Sequence, residues 1–347
     1  MRSVFYLWVC LLMTGNVSAQ KVATVQELAQ WIDSHYKDSA LKVSAAYRWV
    51  TENISYSTEK AFAINHGLDK RAVIDVAFER RKGVCENFAA IFSELCKLMG
   101  FRSEVIEGYT VQHGAMDEVG HAWVAVNMEN DWYLFDPTWD VQYRPAYKYY
   151  KLRGDEFISS HVPYDPIWKL LPYREESRKR GGIANNYKDS LEIFLSMDSV
   201  ARFRSAAKRI ESDRAKNRLV NANYKVVKGR LEEQLQELQV KDYEKSVSFM
   251  NLAAEKMNDF VDYRNARFKP LKSETEIRMM LSGVEGMLDS ALVYLTKVDH
   301  SEAVLVYGTG PARENESALR KKLKTLEAFV NQYFATAANE REKLFRE

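Results

Sequence analysis

Cysteine is scarce in this 347-residue chain, which holds three. A disulfide framework is therefore excluded as the basis of the fold. Proline numbers only seven, and five of these fall between Pro137 and Pro172. Only Pro270 and Pro311 fall outside that stretch, so the segments on either side hold little of the residue that most often breaks helices. An excess of one charge is also missing: 50 Lys and Arg face 48 Asp and Glu, leaving a net charge of +2. That balance gives no support to nucleic-acid binding or to recognition of a polyanion. The chain carries no glycine-rich nucleotide loop, no metal-ligand cluster and no flavin motif, so neither a cofactor nor a metal is expected. With 46% hydrophobic and 28% charged residues, the composition is that of a globular protein long enough for two domains.

The N-terminus has the pattern of an export signal. Arg2 precedes an apolar run from Val4 to Met13, and Val17-Ser18-Ala19 supplies small residues at the −3 and −1 positions. Cleavage after Ala19 (signal peptide 1–19) implies a periplasmic or extracellular protein with no membrane span afterwards. A retained anchor is the alternative, although the run is short for a bilayer. Cys10 follows Trp8 and Val9 rather than small residues, which argues against lipidation.

The mature chain keeps Cys85 and Cys96. Phe88, Ile91, Phe92, Leu95, Leu98 and Met99 form an apolar stripe at helical spacing, ended by Gly100. Cys85 and Cys96 are thus separated by about 16 Å of helical rise. A disulfide needs Cα atoms within about 7 Å, so the two cannot pair. Cys96 reads as a small buried hydrophobe. Cys85 follows Gly83-Val84 at the head of the helix, where unpaired amides and the helix dipole favour a thiolate. Its own amide is placed to stabilise an oxyanion.

Around this helix the pattern indicates an α+β domain. Residues 24–55 read as helices, with a short extended piece at Ile54–Tyr56, and Arg71–Arg81 as another helix. Arg102–Val111, Ala122–Met128 and Trp132–Phe135 read as strands, with a polar loop over 112–120 and a turn at Asn130-Asp131. A hairpin of the last two strands places His121, at the start of one, beside Asp136, at the end of the next. Asp136 could then orient the imidazole of His121 towards Cys85, the arrangement a cysteine nucleophile requires. A zinc site from the same three residues lacks a fourth ligand. His35, His66, His113, His161 and His300 are given no chemistry.

All seven tryptophans lie at or before Trp168, and the composition shifts near residue 180. The expected organisation is a cysteine-enzyme domain over 20–177, a linker over 178–188 around Arg178-Lys179-Arg180-Gly181-Gly182, and a helical accessory domain over 189–347. In that last segment four apolar stripes, beginning near Leu231, Phe249, Ile277 and Leu319, predict an antiparallel bundle. Glu314 or Asn315 is expected to open the last helix.

Three blocks, RKGVCENFAAIFSELCKLMGF, GHAWVAV and WYLFDPTWD, together resemble the transglutaminase-like superfamily of cysteine enzymes, papain-like in catalytic arrangement. AAYRWVTENISY and FISSHVPYDPIWKLL extend the likeness over residues 40–172, the latter towards the kyphoscoliosis-peptidase-like branch. The resemblance implies a Cys-His-Asp triad on Cys85, His121 and Asp136 and a protein or peptide substrate. It leaves open a peptidase or amidase, a cross-linking transglutaminase, and a non-catalytic interaction protein that uses its helical domain to hold a partner.

Overall fold

The computed structural model describes residues 22–57, 70–171, 187–215, 217–303 and 308–345. They divide into two compact units. The first runs up to Ser196 and includes Ser205–Tyr224; the second comprises Met197–Arg204 and Lys225–Glu347. The expected signal segment lies outside the described residues. So does most of the expected linker, whose last two residues, Tyr187 and Lys188, begin a helix.

The first unit opens with α1 (Val25–His35) and α2 (Ser39–Asn53). Each starts where a side chain satisfies an orphan amide: Thr24 accepts from the Glu27 N–H and Asp38 from the Leu41 N–H. The short strand β1 (Ser55–Tyr56) and helix α3 (Lys70–Arg80) follow. Strand β2 (Lys82–Gly83) pairs in parallel with β1, setting Tyr56 beside Gly83. Helix α4 (Cys85–Leu98) is buried on most of its circumference, including Phe88, Ala89, Ile91, Phe92, Leu95 and Cys96. A helix apolar on most sides belongs inside a domain. It packs against β4 on one flank and α1 and α2 on the other. Leu98, expected in the apolar stripe, is instead exposed in the last turn.

Strands β3 (Ser103–Gln112), β4 (Ala115–Met128), β5 (Asp131–Phe135) and β6 (His161–Pro163) form an antiparallel sheet in the order β5-β4-β3-β6. Alternation explains the register. Ala122, Val124 and Val126 of β4 join the core that includes α4. The loop expected over 112–120 is shorter than anticipated. His113 and Gly114 make the turn at positive φ, and β4 already begins at Ala115. Ala115, Met116, Gly120 and His121 pair with β3, with a register shift opposite residues 117–119, because a solvated strand need not be apolar. Helices α5 (Pro137–Asp140) and α6 (Gly154–Phe157) lie between β5 and β6.

Helix α7 (Tyr187–Ser196) and residues 205–224, spanning the end of α8 (Ser199–Glu211) and the start of α9 (Arg218–Asn265), complete this unit. Phe194 meets Trp168 with ring centroids 6.3 Å apart. Arg209 grips the nearly buried Asp165 with Nε and Nη2 at 2.6 Å each, the two-pronged geometry that suits guanidinium and carboxylate.

The second unit is all helical. The stripes beginning at Leu231 and Phe249 belong to one 48-residue helix, α9, rather than to two. No helix-breaking residue separates them. Helices α10 (Glu274–Leu281), α11 (Val284–Asp299) and α12 (Gly310–Ala335) follow. Helix α12 starts at Gly310 with Pro311 in its first turn, earlier than Glu314 or Asn315. Proline fits there because its missing N–H would have been an orphan. Phe260, Phe268, Ile277, Leu288, Leu323 and Leu326 form the core. Among the described residues no helix is long and apolar enough to cross a membrane.

Candidate active site

The head of α4 is fixed by a short local network. The Asn87 Oδ1 accepts the Val84 N–H at 2.9 Å, closing the first turn. Gly83 permits this closeness, since a Cβ there would lie 2.5 Å from the Asn87 Cβ. Cys85 is therefore held as the first residue of the helix, where the backbone N–H groups have no intrahelical acceptor. Its side chain is 8% exposed and it forms no disulfide. Cys96 is also a free thiol, but burial pushes its pKa far up and leaves it inert.

His121 and Asp136 are brought together by the β4–β5 hairpin, as expected. The strands pair from Val124↔Phe135 to Met128↔Asp131, so the residues beyond the Val124↔Phe135 end converge. The His121 Nε2 lies 2.8 Å from the Asp136 Oδ2. Asp136 also caps α5: its Oδ1 accepts the Thr138 and Trp139 N–H groups at 2.9 and 3.2 Å. Tyr47 of α2 secures the backbone here, its hydroxyl 2.8 Å from the Asp136 carbonyl and 2.6 Å from the Asp140 Oδ2. Asp140 in turn accepts the Tyr149 N–H.

A second imidazole completes the constellation. His161 on β6, fully buried, places its Nε2 3.0 Å from the same Asp136 oxygen, and its Nδ1 2.8 Å from the Ser160 Oγ. Asp136 thus accepts four hydrogen bonds. Burial alone would raise its pKa, but the His121 charge and the bonds from both histidines hold it well below the usual carboxylate range. For His121, burial opposes the charge, yet the charge and hydrogen bond of Asp136, joined by a hydrogen bond with Cys85, raise the pKa to about 10. With Nε2 on Asp136, the ring nitrogen left for Cys85 is Nδ1. His161 moves the other way: burial lowers its pKa and keeps it neutral.

Cys85 and His121 line one open cleft of about 400 Å³, together with Tyr56, Val84, Gly120 and Trp139. Of the three residues singled out in the sequence, Cys85 and His121 share this cleft, and Asp136 is hydrogen-bonded to His121. Ligand-type atoms of His121, Asp136 and His161 lie within 4.8 Å of one another. In this arrangement both Nε2 atoms carry the protons given to Asp136, so they present no lone pair to an ion. Sequence reasoning missed His161, Tyr47, Asp140 and Asn87. Only His161 had a signal, its place within FISSHVPYDPIWKLL.

The chain is similar to known proteins over part of its length. Residues 26–137 match the Transglut_core family model, described as the transglutaminase-like superfamily. Over 147 residues the chain is 27% identical to Kyphoscoliosis peptidase of Mus musculus, with 38% of this chain and 22% of that protein covered. The Homo sapiens protein of the same name gives the same identity and coverage. The aligned part spans about a fifth of the length of those relatives. Among solved structures, a candidate cysteine protease of Cytophaga hutchinsonii shares 24% identity over 33% of this chain and 36% of its own, with a TM-score of 0.28. A TGase shares 20% over 37% and 35%, with a TM-score of 0.26. The segment 26–137, which contains Cys85, His121 and Asp136, is a domain of the transglutaminase-like superfamily.

Proposed function

We propose that the protein is an exported cysteine peptidase or amidase that cleaves amide bonds of proteins or peptides through a thioester on Cys85. The observation that carries this reading is the His121 imidazole, held from behind by buried Asp136 and sharing an open cleft with Cys85. His121, as the imidazolium, already holds the proton given up by the Cys85 thiol, and the Cys85 Sγ attacks the substrate carbonyl carbon, forming a C–S bond. The Cys85 amide stabilises the oxyanion. The carbon–nitrogen bond then breaks, and His121 returns the proton to the leaving amine. Water attacks the thioester, the C–S bond breaks, and a carboxylic acid and the free thiol remain. The curated relatives called peptidases favour water as the acceptor. The export signal at residues 1–19 and the helical segment suit a protein substrate or partner outside the cytoplasm.

The test is incubation of the full chain and its Cys85→Ala variant with a peptide library and a labelled primary amine. Hydrolysis by the wild type alone is the expected result. Amine incorporation would identify a transglutaminase instead. No reaction, with Cys85 and Cys96 labelled equally slowly by a thiol probe, would overturn the enzymatic reading in favour of a binding protein.

A further inference from the structure

Asp136 Oδ2 receives two imidazole donors, and the chemistry just described uses one of them. His161 has no route to the cleft, because its side chain is fully buried. Its ring is enclosed by Phe157 at a centroid distance of 4.1 Å, Trp139 at 4.6 Å, Trp123 at 5.2 Å and Tyr149 at 5.3 Å. Main-chain pairing sets its position: β6 joins β3 with Thr110 opposite His161, and the Val111 N–H donates to the Ser160 carbonyl at 2.9 Å. Both ring nitrogens are committed. Asp136 can only accept, so His161 Nε2 carries a hydrogen. In the neutral ring Nδ1 is then the acceptor, and the Ser160 hydroxyl donates to it.

We propose that His161 is a positioning residue, whose neutral Nε2–H fixes the Asp136 Oδ2 in line with His121 and draws off part of that carboxylate's pull on the imidazolium. This rests on the reading of Cys85 and His121 as the reactive pair. Two histidines on one oxygen make sense only if they differ in charge, since two cations with rings 5.6 Å apart in a buried site would repel. The other titratable groups near the pair are Cys85 of α4 and Asp117 of β4 beside His121, and Tyr47 of α2, Asp140 of α5 and Tyr149 beside Asp136. Of the described side chains, His161 and His121 alone donate to the Asp136 carboxylate.

The experiment combines ¹⁵N-histidine NMR of the full chain with peptide turnover across pH for wild type, His161→Gln and His161→Phe. In the wild type at pH 6, His161 is expected as the neutral Nε2–H tautomer and His121 as an imidazolium. His161→Phe removes the donor and keeps an aromatic ring. It should lower turnover by about 10²-fold, the cost of a misplaced catalytic group, and shift the His121 titration upward. His161→Gln retains an N–H and should recover turnover to within roughly tenfold, with the titration near its original place. Equal losses in both variants with an unmoved titration would overturn the proposal in favour of packing alone. So would a His161 protonated on Nδ1. If the wild type turns over no peptide, the substrate reading fails by itself, and the His121 titration in His161→Phe still decides the role of His161.

Discussion

Replacing Asp136 by Asn tests the site at the point where its parts converge. The Thr138 and Trp139 N–H groups require an oxygen at the Oδ1 position, so the new amide must turn its NH₂ towards the two histidines. Each Nε2 would then face a donor and would have to give up its own hydrogen. His161 can do so by moving its proton to Nδ1 and donating to Ser160. His121 cannot do so without turning Nδ1–H towards Cys85, the wrong tautomer for a base. The rise of the His121 pKa from 6.5 to about 10 corresponds to about 5 kcal/mol at 1.36 kcal/mol per pH unit. Relief from burying a carboxylate, several kcal/mol, offsets much of this, leaving a net loss of about 2 kcal/mol. A loss of that size lowers the melting temperature of a domain of this size by roughly 4–8 °C. Turnover should fall far more, by about 10³–10⁴-fold, as expected when a base is fixed in the wrong tautomer. The assays are thermal unfolding at pH 6, peptide turnover, and the histidine spectrum, where His121 should appear neutral. An imidazolium at His121 that survives the substitution at pH 6 would refute the reasoning.

Further outcomes follow from the same contacts. Gly83→Ala drives a Cβ into the Asn87 side chain, so it should cost about 1–3 kcal/mol and slow labelling of Cys85 by a thiol probe. Tyr47→Phe removes the hydroxyl shared by the Asp136 carbonyl and Asp140, with an expected loss of about 1–3 kcal/mol in denaturant unfolding. Phe268, fully buried with the Tyr333 ring 4.8 Å away, should cost about 3–5 kcal/mol when changed to Ala; calorimetry should place that loss in the helical unit, with the histidine spectrum unaltered. Stability should also vary with pH in both directions. Asp136 has a depressed pKa, so its contribution is present above the ordinary 3.8 and disappears as acid reaches the folded value. His121 has a raised pKa, so its contribution is full below 6.5 and is lost as the pH rises to about 10. Melting temperatures that stay flat from pH 6 to 10 would contradict the His121 assignment.

The sequence made the reactive line of the site legible because that line is built from local features. A glycine before a helical stripe locates Cys85, and two strands around a tight turn locate His121 and Asp136. What it hid depends on pairing across distance. Strand β6 has only three residues, too few for any alternation, so no strand pattern announced that His161 would dock beside Thr110 and reach Asp136. Tyr47 shares a helix face with Val43, Ala46 and Val50, so its sequence position signals only packing, although its hydroxyl is the part that holds Asp136. In the helical segment, the apolar stripes were visible but not their continuity. Two stripes merge into α9 because the polar residues between them are themselves good helix formers.

The grip of Arg209 on Asp165, with Phe194 seated against Trp168, bears on where the chain can be shortened. A catalytic fragment stopped at residue 177 would lose the guanidinium that neutralises a nearly buried carboxylate and would bare the face of an indole. Both defects lie a few residues from the strand that carries His161. Expression boundaries for the catalytic half therefore belong beyond Tyr224, and a shorter piece is expected to aggregate through the uncovered indole face rather than report honestly on the chemistry of Cys85.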